Sequence, residues 1–294
     1  MTEPVRLRQI AFLVHDLPKA ERQITRVLNT EVINREPEVT EFGLRNILVP
    51  LGGDIIEILA PIDPTTPSTA SRLLHKRGKD GGYMLIMQVG DTAARTQLIE
   101  ERRLATVVFR QRASEGNGGC VERAQFNSKG IPGNIMPELD TYTPLQDQSH
   151  IPSFIDAPIA PWPPCGADYP VYSREMSRRT HLQLLGATCR LASGNNSNSG
   201  DATIAARKWE ELFGVHAQGN ENVFTNCRMR FVSNPGDLPD GLVSVTVGIR
   251  GEEAYERVLF AAGEEGLISW DGRVSMLGVE WEFVLLPAGR ESKV

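Results

Sequence analysis

The 294-residue sequence has no surplus of positive charge and no long apolar run. Its 31 lysine and arginine residues are outnumbered by 37 aspartate and glutamate residues, which gives a formal net charge of -6. Because nucleic-acid binding depends on clustered Lys and Arg side chains, we expect no nucleic-acid partner. The nearest basic cluster, at residues 75–79, is interpreted as a solvated turn. No window approaches the roughly 18 apolar residues of a membrane helix, and no signal-peptide pattern is present, so we expect a cytoplasmic protein without membrane contact.

Several classes of chemical site are also missing from the sequence. The four cysteines form no CxxC pair, which argues against a zinc knot or a redox dithiol and predicts free thiols. The five histidines show no paired spacing, and with only 6% aromatic residues no stacking site is indicated. The glycine-rich loop at residues 114–119 lacks the Gly-Lys-Ser/Thr ending of a phosphate loop, so we expect no nucleotide cofactor.

The most informative feature that is present is a repeat. Residues 9–16 read QIAFLVHD, and residues 84–91 read MLIMQVGD. Each run is strand-like and ends in an aspartate, a good helix N-cap, and helices are predicted at residues 18–28 and 92–103. Strand-like stretches follow each helix, the first three at residues 31–37, 42–51 and 53–62. The pattern therefore predicts two βαβββ modules, which repeat because neither can bury its own sheet face alone.

The same order of elements returns in weaker form after a proline-rich stretch. Six prolines lie between residues 152 and 170, and because proline removes a backbone donor, this stretch is predicted to be neither sheet interior nor helix. Its apolar side chains, Phe154, Ile155, Ile159 and Trp162, are predicted to pack on one or both domains. Beyond it, helices are predicted at residues 202–213 and 252–263. We therefore predict an α+β protein with a first domain at residues 1–144, a connector at 145–178 and a degenerate second domain at 179–294.

Paired βαβββ modules, with first strands that end in Asp before a helix, resemble the vicinal oxygen chelate superfamily. That superfamily includes glyoxalase I, extradiol dioxygenases and bleomycin-resistance proteins. The resemblance is best over residues 5–140, and the run LRNILVPLGGDIIEILAPIDP at residues 44–64, with the later IPSFID at 151–156, is similar to glyoxalase-like domains. The resemblance implies tandem paired modules that form two curled mixed sheets. It specifies the fold better than the activity, because one fold hosts many functions.

The resemblance also implies a set of metal ligands. In the superfamily each module supplies one ligand from its first strand, seven residues before the Asp, and one Glu from its last strand. The first module then offers Gln9 and Glu57, and the second offers Glu138 together with Met84. Because a thioether is a soft ligand and suits hard divalent ions poorly, we expect Met84 in the core or in a cavity wall. The expected ligands of a divalent ion of unknown type are thus Gln9, Glu57 and Glu138.

The residues themselves single out Glu57 independently of the resemblance. Glu57 interrupts the apolar run DIIEILAPI, where an unpaired carboxylate would cost several kcal/mol to bury. A metal ion, a substrate proton, or a hydrogen bond to Gln9 or to an arginine such as Arg45 could compensate it. We expect Arg45 and Met84 to contact the substrate.

Two functions follow from these expectations. The first is a small-molecule isomerase or lyase in which a divalent ion stabilises an enolate-like intermediate and Glu138 or Glu57 acts as general base. The second is a metal-free protein of the same fold that binds or sequesters a small organic ligand, or catalyses by cavity shape and hydrogen bonds. Met84 favours the second function, whereas the three polar ligand candidates favour the first.

The second half is expected to be a structural partner and not a second active site. Glu280 and Glu282 share one face of its last strand, and we expect both to face solvent because Trp281 and Phe283 need the core. Modules can pair within one chain or between two chains, so a homodimer is a further expectation.

Overall fold

The computed structural model describes residues 3–114, 120–143, 162, 165, 169–192, 200–234, 236 and 238–287. Within these residues the chain forms two mixed sheets of seven strands each, with helices between the strands. The predicted α+β class and the tandem paired modules are thereby confirmed. The tip of the glycine-rich loop and most of the proline-rich stretch, including Phe154, Ile155 and Ile159, lie outside the described residues.

The first sheet contains the strands of the first two modules. The elements of this half are β1 (Arg6–Leu13), α1 (Leu17–Val27), a 3-10 helix (Pro37–Phe42), β2 (Leu44–Leu51), β3 (Asp54–Pro61), α2 (Thr69–Arg77), β4 (Gly81–Gln88), α3 (Thr92–Glu101), β5 (Val107–Ser114), β6 (Cys120–Phe126) and β7 (Met136–Thr143). The strand order is β2-β3-β1-β4-β7-β6-β5. Strands β1 and β3 are parallel, as are β4 and β7, and β1 meets β4 antiparallel. The last strand of each module therefore lies beside its first strand, and the modules join through their first strands.

The second sheet repeats this plan with shorter strands toward its two edges. Its half contains α4 (Tyr169–Ser177), β8 (Leu182–Arg190), α5 (Ala202–Phe213), β9 (His216–Gln218), β10 (Glu221–Val223), β11 (Arg228–Val232), β12 (Gly241–Arg250), α6 (Glu252–Glu264), β13 (Val274–Met276) and β14 (Val279–Leu286). The strand order is β13-β14-β12-β8-β11-β10-β9. Three of these strands have only three residues each. The second half was predicted to be degenerate, and these shortened strands are where it departs from the first half.

Aspartate caps begin three of the four predicted helices. The Asp16 and Asp91 carboxylates accept hydrogen bonds from the backbone N–H three residues on, at 2.9 and 2.8 Å, and Asp201 accepts from two such groups. Each cap satisfies a backbone donor that the first helical turn would otherwise leave without a partner. The helix predictions at residues 18–28, 92–103, 202–213 and 252–263 agree with α1, α3, α5 and α6 within about two residues at each end.

Three local predictions were wrong. Residues 31–37 form no strand and make only an isolated bridge between Asn34 and Leu48, after which the backbone turns into the 3-10 helix at Pro37. The basic cluster at residues 75–79 is not a free turn. It is mostly the last turn of α2, which begins at a Ser68 capping box and ends at Gly78 with a φ of 67°. Basic side chains suit that position because they complement the helix dipole.

The third wrong prediction concerns the end of the proline-rich stretch. Pro170, expected outside any helix, lies in the first turn of α4. Proline is tolerated there because the first helical N–H groups have no partner within the helix.

The two halves share one continuous core on the helix-bearing face of the first sheet. Phe12 of β1 stacks on Trp281 of β14 with ring centroids 5.8 Å apart, and Phe126 of β6 meets Phe213 of α5 at 5.7 Å. All four side chains are at most 2% exposed. The second half therefore covers one face of the first sheet, which leaves the opposite face for the site described below. No helix among the described residues is long and apolar enough to cross a membrane.

Candidate active site

The free face of the first sheet encloses a cavity of about 550 Å³. One end of this face is filled by a cover that consists of Trp162 and Cys165 of the connector with Tyr172 and Met176 of α4, all at most 6% exposed. Part of α2 and the 3-10 helix also border the cavity. Its polar lining residues are Gln9, Glu36, Glu41, Glu57, Thr69, Tyr83, Gln111, Arg123, Gln125, Asn127, Ser128 and Glu138.

The structure brings Gln9, Glu57, Met84 and Glu138 to this one cavity. The strand register explains why. Glu57 lies beside β1 in the parallel β1–β3 pair, and Glu138 lies beside β4 in the parallel β4–β7 pair. Arg45 is not brought to the cavity. It is an exposed residue of β2 that borders a separate, shallower pocket near the start of α1.

Glu57 is held by two amide donors. Its side chain is 5% exposed; Oε2 accepts from Gln9 Nε2 at 2.8 Å and Oε1 accepts from Asn46 Nδ2 at 2.7 Å. The expected hydrogen bond to Gln9 is therefore present, and Asn46 takes the place proposed for Arg45. Burial raises the pKa of Glu57 to about 7 despite these two hydrogen bonds, and the nearby charge of Glu138 adds to the rise. The carboxyl group therefore gains and loses its proton near neutral pH.

A tryptophan of the connector fixes the orientation of the Gln9 amide. Trp162 Nε1 donates to Gln9 Oε1 at 2.9 Å. An indole N–H can only donate, so the Gln9 oxygen must face the indole and the Gln9 NH₂ group must face Glu57. The sequence predicted only that Trp162 packs on a domain. The structure shows it 1% exposed, with its indole N–H directed at Gln9.

Glu36 is a second carboxyl group that the sequence did not single out. The NH₂ group of Asn46 donates to Glu36 Oε2 as well as to Glu57, and the backbone N–H of Glu36 donates to Asn46 Oδ1 at 2.9 Å. Burial raises the pKa of Glu36 to about 8, with a further contribution from the charge of Glu57. Two carboxyl groups on one amide repel each other when both are ionised, so one of them keeps its proton at neutral pH.

Glu138 lies in a second pair of carboxyl groups. It is 6% exposed and its Oε2 accepts from Gln125 Nε2 at 2.6 Å. Asp140, two residues on, is fully buried, and no N–H group donates to either of its oxygens within hydrogen-bond geometry. Burial raises the pKa of Asp140 well above its usual range, and the charge of Glu138 and a side-chain hydrogen bond with Glu138 raise it further. Arg123, whose Nε lies 3.7 Å from Asp140 Oδ2, opposes this rise.

Two further side chains supply donors to the cavity. Arg123 is the one cationic residue among the described lining residues, and its charge lowers the pKa of Glu57 and of Glu36. Burial raises the pKa of Tyr83, and the charges of Glu57 and Glu138 add to this effect. Tyr83 is therefore a neutral phenol, and its O–H group can donate to a bound molecule.

The arrangement does not fit the divalent ion that the resemblance implies. The Gln9 oxygen, which would have to face a metal, accepts from Trp162, while both oxygens of Glu57 accept from amides. Met84 offers only a soft sulfur. Within the described residues no group of three or more His, Cys, Asp or Glu side chains is arranged to hold a metal ion. Hard divalent ions need several oxygen ligands that point at one centre, and these side chains point at each other.

Sequence reasoning missed Asn46, Glu36, Arg123 and Gln125. A weak signal was available for Asn46, since it is a lone amide on the same side of its strand as the buried Leu44 and Leu48. The other three give no such signal, because charged and amide residues in β6 and in the segment after α1 are also what a solvated surface would show.

Comparison with known proteins finds solved structures that align with this chain. No protein-family model and no curated protein sequence matches the chain. A hypothetical protein from Staphylococcus aureus aligns over 96% of this chain and 100% of its own, with 9% identity and a TM-score of 0.57. The methylmalonyl-CoA epimerase from Mycobacterium tuberculosis aligns over 51% of this chain and 95% of its own, with 22% identity and a TM-score of 0.41. A variant of the Streptomyces coelicolor enzyme, in complex with 2-nitronate-propionyl-CoA, aligns over 46% and 96%, with 18% identity and a TM-score of 0.39.

The likeness to the S. aureus protein agrees with the two-sheet fold. The S. aureus protein matches nearly the whole chain, so the tandem arrangement occurs in another solved structure. The epimerases match about half of this chain. At such identities a shared fold does not transfer an activity, so the function must be argued from the cavity itself.

Proposed function

We propose that this cavity is the active site of a metal-independent isomerase or lyase, which moves a proton to or from a carbon next to a carbonyl group. The observation that carries the proposal is the environment of Glu57, a buried carboxyl group that faces the cavity, is held by two amide donors and has a pKa of about 7. A general base works best when its pKa lies near the working pH. A solvated glutamate, with a pKa near 4.3, is a much weaker base.

Glu138 is the second proton-transfer group in this proposal. It comes from β7, the last strand of its module, as Glu57 comes from β3. Glu57 takes a proton from the substrate carbon, and the electron pair of that C–H bond becomes the C=C bond of an enolate. The carboxyl pair of Glu138 and Asp140, which holds one proton between the two groups, returns that proton to the same carbon or to a neighbouring one, and water carries the proton taken by Glu57 back to the pair. Protons balance, because one is taken and one is returned.

Arg123 and Tyr83 are the groups proposed to stabilise the enolate oxygen. Both line the cavity, one as a cation and the other as a neutral O–H donor. Donors placed where negative charge develops stabilise a transition state strongly when water is largely excluded. Here they supply what a metal ion supplies in a Lewis-acid mechanism.

The lining charge indicates a neutral substrate. Among the lining residues that the structure describes, four are glutamates, Glu36, Glu41, Glu57 and Glu138, and one is a cation, Arg123. An anionic substrate would meet net repulsion and would have to be desolvated as well. We therefore propose a neutral ketone, lactone or thioester of a size that about 550 Å³ admits.

Proton exchange in D₂O tests the proposal. A panel of small neutral ketones, lactones and thioesters is incubated with the protein, and deuterium incorporation next to the carbonyl group is followed by NMR. Exchange should occur with at least one compound, persist in chelator, and fall about 100-fold or more in Glu57→Gln. Glu282→Gln, an exposed carboxylate of the second sheet, is the matched control and should exchange at the wild-type rate. Exchange that chelator abolishes, or that Glu57→Gln retains, would overturn the proposal.

A binding protein without catalysis is the second candidate. Both oxygens of Glu57 already accept hydrogen bonds, and one wall of the cavity is apolar, formed by Leu59, Met84, Ile86 and Met136. Such a cavity can hold a small organic molecule by shape and hydrogen bonds alone. Saturable binding of a panel compound by calorimetry, without deuterium exchange into any compound, would favour this second function over the first.

A further inference from the structure

Trp162 is anchored more firmly than a connector residue needs to be. Its backbone N–H donates to the Tyr172 hydroxyl at 2.7 Å, its carbonyl accepts from the N–H of Cys165 at 3.0 Å, and the Arg8 guanidinium carbon lies 5.6 Å from the centre of its ring. The side chain is 1% exposed. These contacts hold the indole in one position behind Gln9, which lines the cavity.

The position of the indole decides what Gln9 can do. A glutamine amide can be turned by half a rotation about its last bond, which exchanges its oxygen with its NH₂ group at almost no steric cost. With the indole N–H at 2.9 Å, the oxygen of Gln9 is committed to Trp162 and the NH₂ group donates to Glu57 at 2.8 Å. The reversed amide would set two N–H donors against each other and leave the buried indole N–H unpaired.

From this geometry we infer that Trp162 is a positioning residue that keeps Gln9 a hydrogen-bond donor and so prevents Gln9, Glu57 and Glu138 from binding a divalent cation. Without the indole N–H, the Gln9 oxygen is free to turn inward toward the two carboxylates. Three oxygen-bearing side chains would then converge, which is the kind of ligand set that Mn²⁺ or Mg²⁺ takes, with water completing the shell. The connector thus decides whether the first sheet holds a metal site or a hydrogen-bonded carboxyl site.

Metal binding to a small set of variants tests this inference. Apo wild-type protein, Trp162→Phe and Tyr172→Phe are titrated with Mn²⁺ alone and followed by EPR and calorimetry. Tyr172→Phe is the matched control, because it removes the hydroxyl that anchors the same tryptophan and leaves the indole N–H in place. Trp162→Phe should bind Mn²⁺ at least about tenfold more tightly than wild type, the size of effect that partners of metal ligands commonly have. Tyr172→Phe should bind as wild type does.

A second pair of variants locates the binding. Adding Gln9→Ala or Glu57→Gln to Trp162→Phe should abolish the gained Mn²⁺ affinity, because each removes one converging oxygen or its charge. Equal affinity in wild type and Trp162→Phe, or a gain that survives the loss of both Gln9 and Glu57, would overturn the inference. The titration contains the metal and no substrate, so its result is independent of the proton-transfer proposal.

A gentler replacement covers the case in which Trp162→Phe does not fold. Site-specific incorporation of 3-benzothienylalanine at position 162 keeps the bicyclic ring and replaces only the N–H by sulfur. It should give the same gain of Mn²⁺ affinity as the phenylalanine variant. A folded benzothienyl protein that binds Mn²⁺ no better than wild type would contradict the role assigned to the indole N–H.

Discussion

The two sheets place matching positions in different surroundings. In the antiparallel pair β1–β4, one register shift falls just before Gln9 and another just after Ala11. In the pair β12–β8 the corresponding shifts fall just before Ser244 and just after Thr246. Because bulges fix which residue faces which side of a sheet, Gln9 corresponds to Ser244 and Ala11 to Thr246.

The carboxylates on the neighbouring strands can then be compared directly. Glu57 lies opposite Ala11 in β1–β3, and Glu282 lies opposite Thr246 in β12–β14. Glu57 is buried and lines the cavity, whereas Glu282 is exposed, as predicted, and accepts a hydrogen bond from Thr246 Oγ1 at 2.9 Å. The same strand position therefore carries a glutamate in both halves, and only the side chains above it differ.

The position of Glu138, the second carboxylate of the site, corresponds to Arg230 in the second sheet. The β4 partner of Gln9 pairs with Glu138, whereas the β8 partner of Ser244 pairs with Arg230. Arg230 is exposed and forms an ion pair with Glu221 at 2.7 Å. Arg230 and Arg228 lower the pKa of Glu221 through hydrogen bonds and charge, so Glu221 is stabilised as a carboxylate. The comparison shows that both sheets offer the same strand positions, and that the burial and the neighbours of the side chains at these positions differ between the two sheets.

The largest effect on stability is expected from truncating Trp162, the largest side chain of the cover. Trp162→Ala should lower the free energy of unfolding by about 3–5 kcal/mol, because it empties a large buried volume and leaves Gln9 without its donor. Trp270→Ala is the matched control, since Trp270 is 98% exposed, and its effect should stay within about 0.5 kcal/mol. Urea denaturation measures both. Similar losses in the two variants would show that Trp162 does not cover the site in solution.

A smaller effect is expected on how the free energy of unfolding depends on pH, and it should arise from Glu57. The folded state raises the pKa of Glu57 from 4.5 to about 7, so the folded protein holds this proton more tightly than the unfolded chain. That stabilisation is complete below about pH 4.5 and is lost as the pH rises through 7. Relative to Glu57→Gln, wild type should therefore lose roughly 3 kcal/mol between pH 4.5 and pH 8.5.

The matched variant Glu282→Gln removes an exposed carboxylate at the corresponding strand position of the second sheet and serves as the control. Unfolding free energies at four or five pH values in that range provide the measurement. Parallel curves for wild type and Glu57→Gln would mean that Glu57 titrates as an exposed carboxylate does.

The smallest effect is expected on the uncovered sheet. Arg273 forms an ion pair with Glu280 at 2.8 Å, and both side chains are at least half exposed. Exposed ion pairs contribute little because water and salt screen them. Replacing both residues by alanine should leave the melting temperature nearly unchanged, and added salt should remove any remaining difference. A clear loss of stability would indicate that this face is buried against something in solution.

Much of the fold was predictable because its signals are local. Aspartate caps and apolar periodicity located the helices, and the repeat of a strand that ends in Asp located the first strand of two modules. The stretch at residues 31–37 was misread because it contains β-branched residues, but it also carries charges and ends at Pro37, which breaks the strand pattern. Helices α2 and α4 are short, so their periodicity is weak.

The sequence by itself determined which side chains could reach the site, and tertiary structure decided what they do there. The resemblance of the sequence to a known superfamily implied Gln9, Glu57 and Glu138, the apolar run around Glu57 singled that residue out independently, and the structure brings all three to one cavity. Only the packed chain shows that Trp162, more than 150 residues away in sequence from Gln9, turns the Gln9 amide toward Glu57. Burial and amide orientation depend on contacts between distant segments, and those contacts raise the pKa of one glutamate to about 7 while its counterpart remains in water.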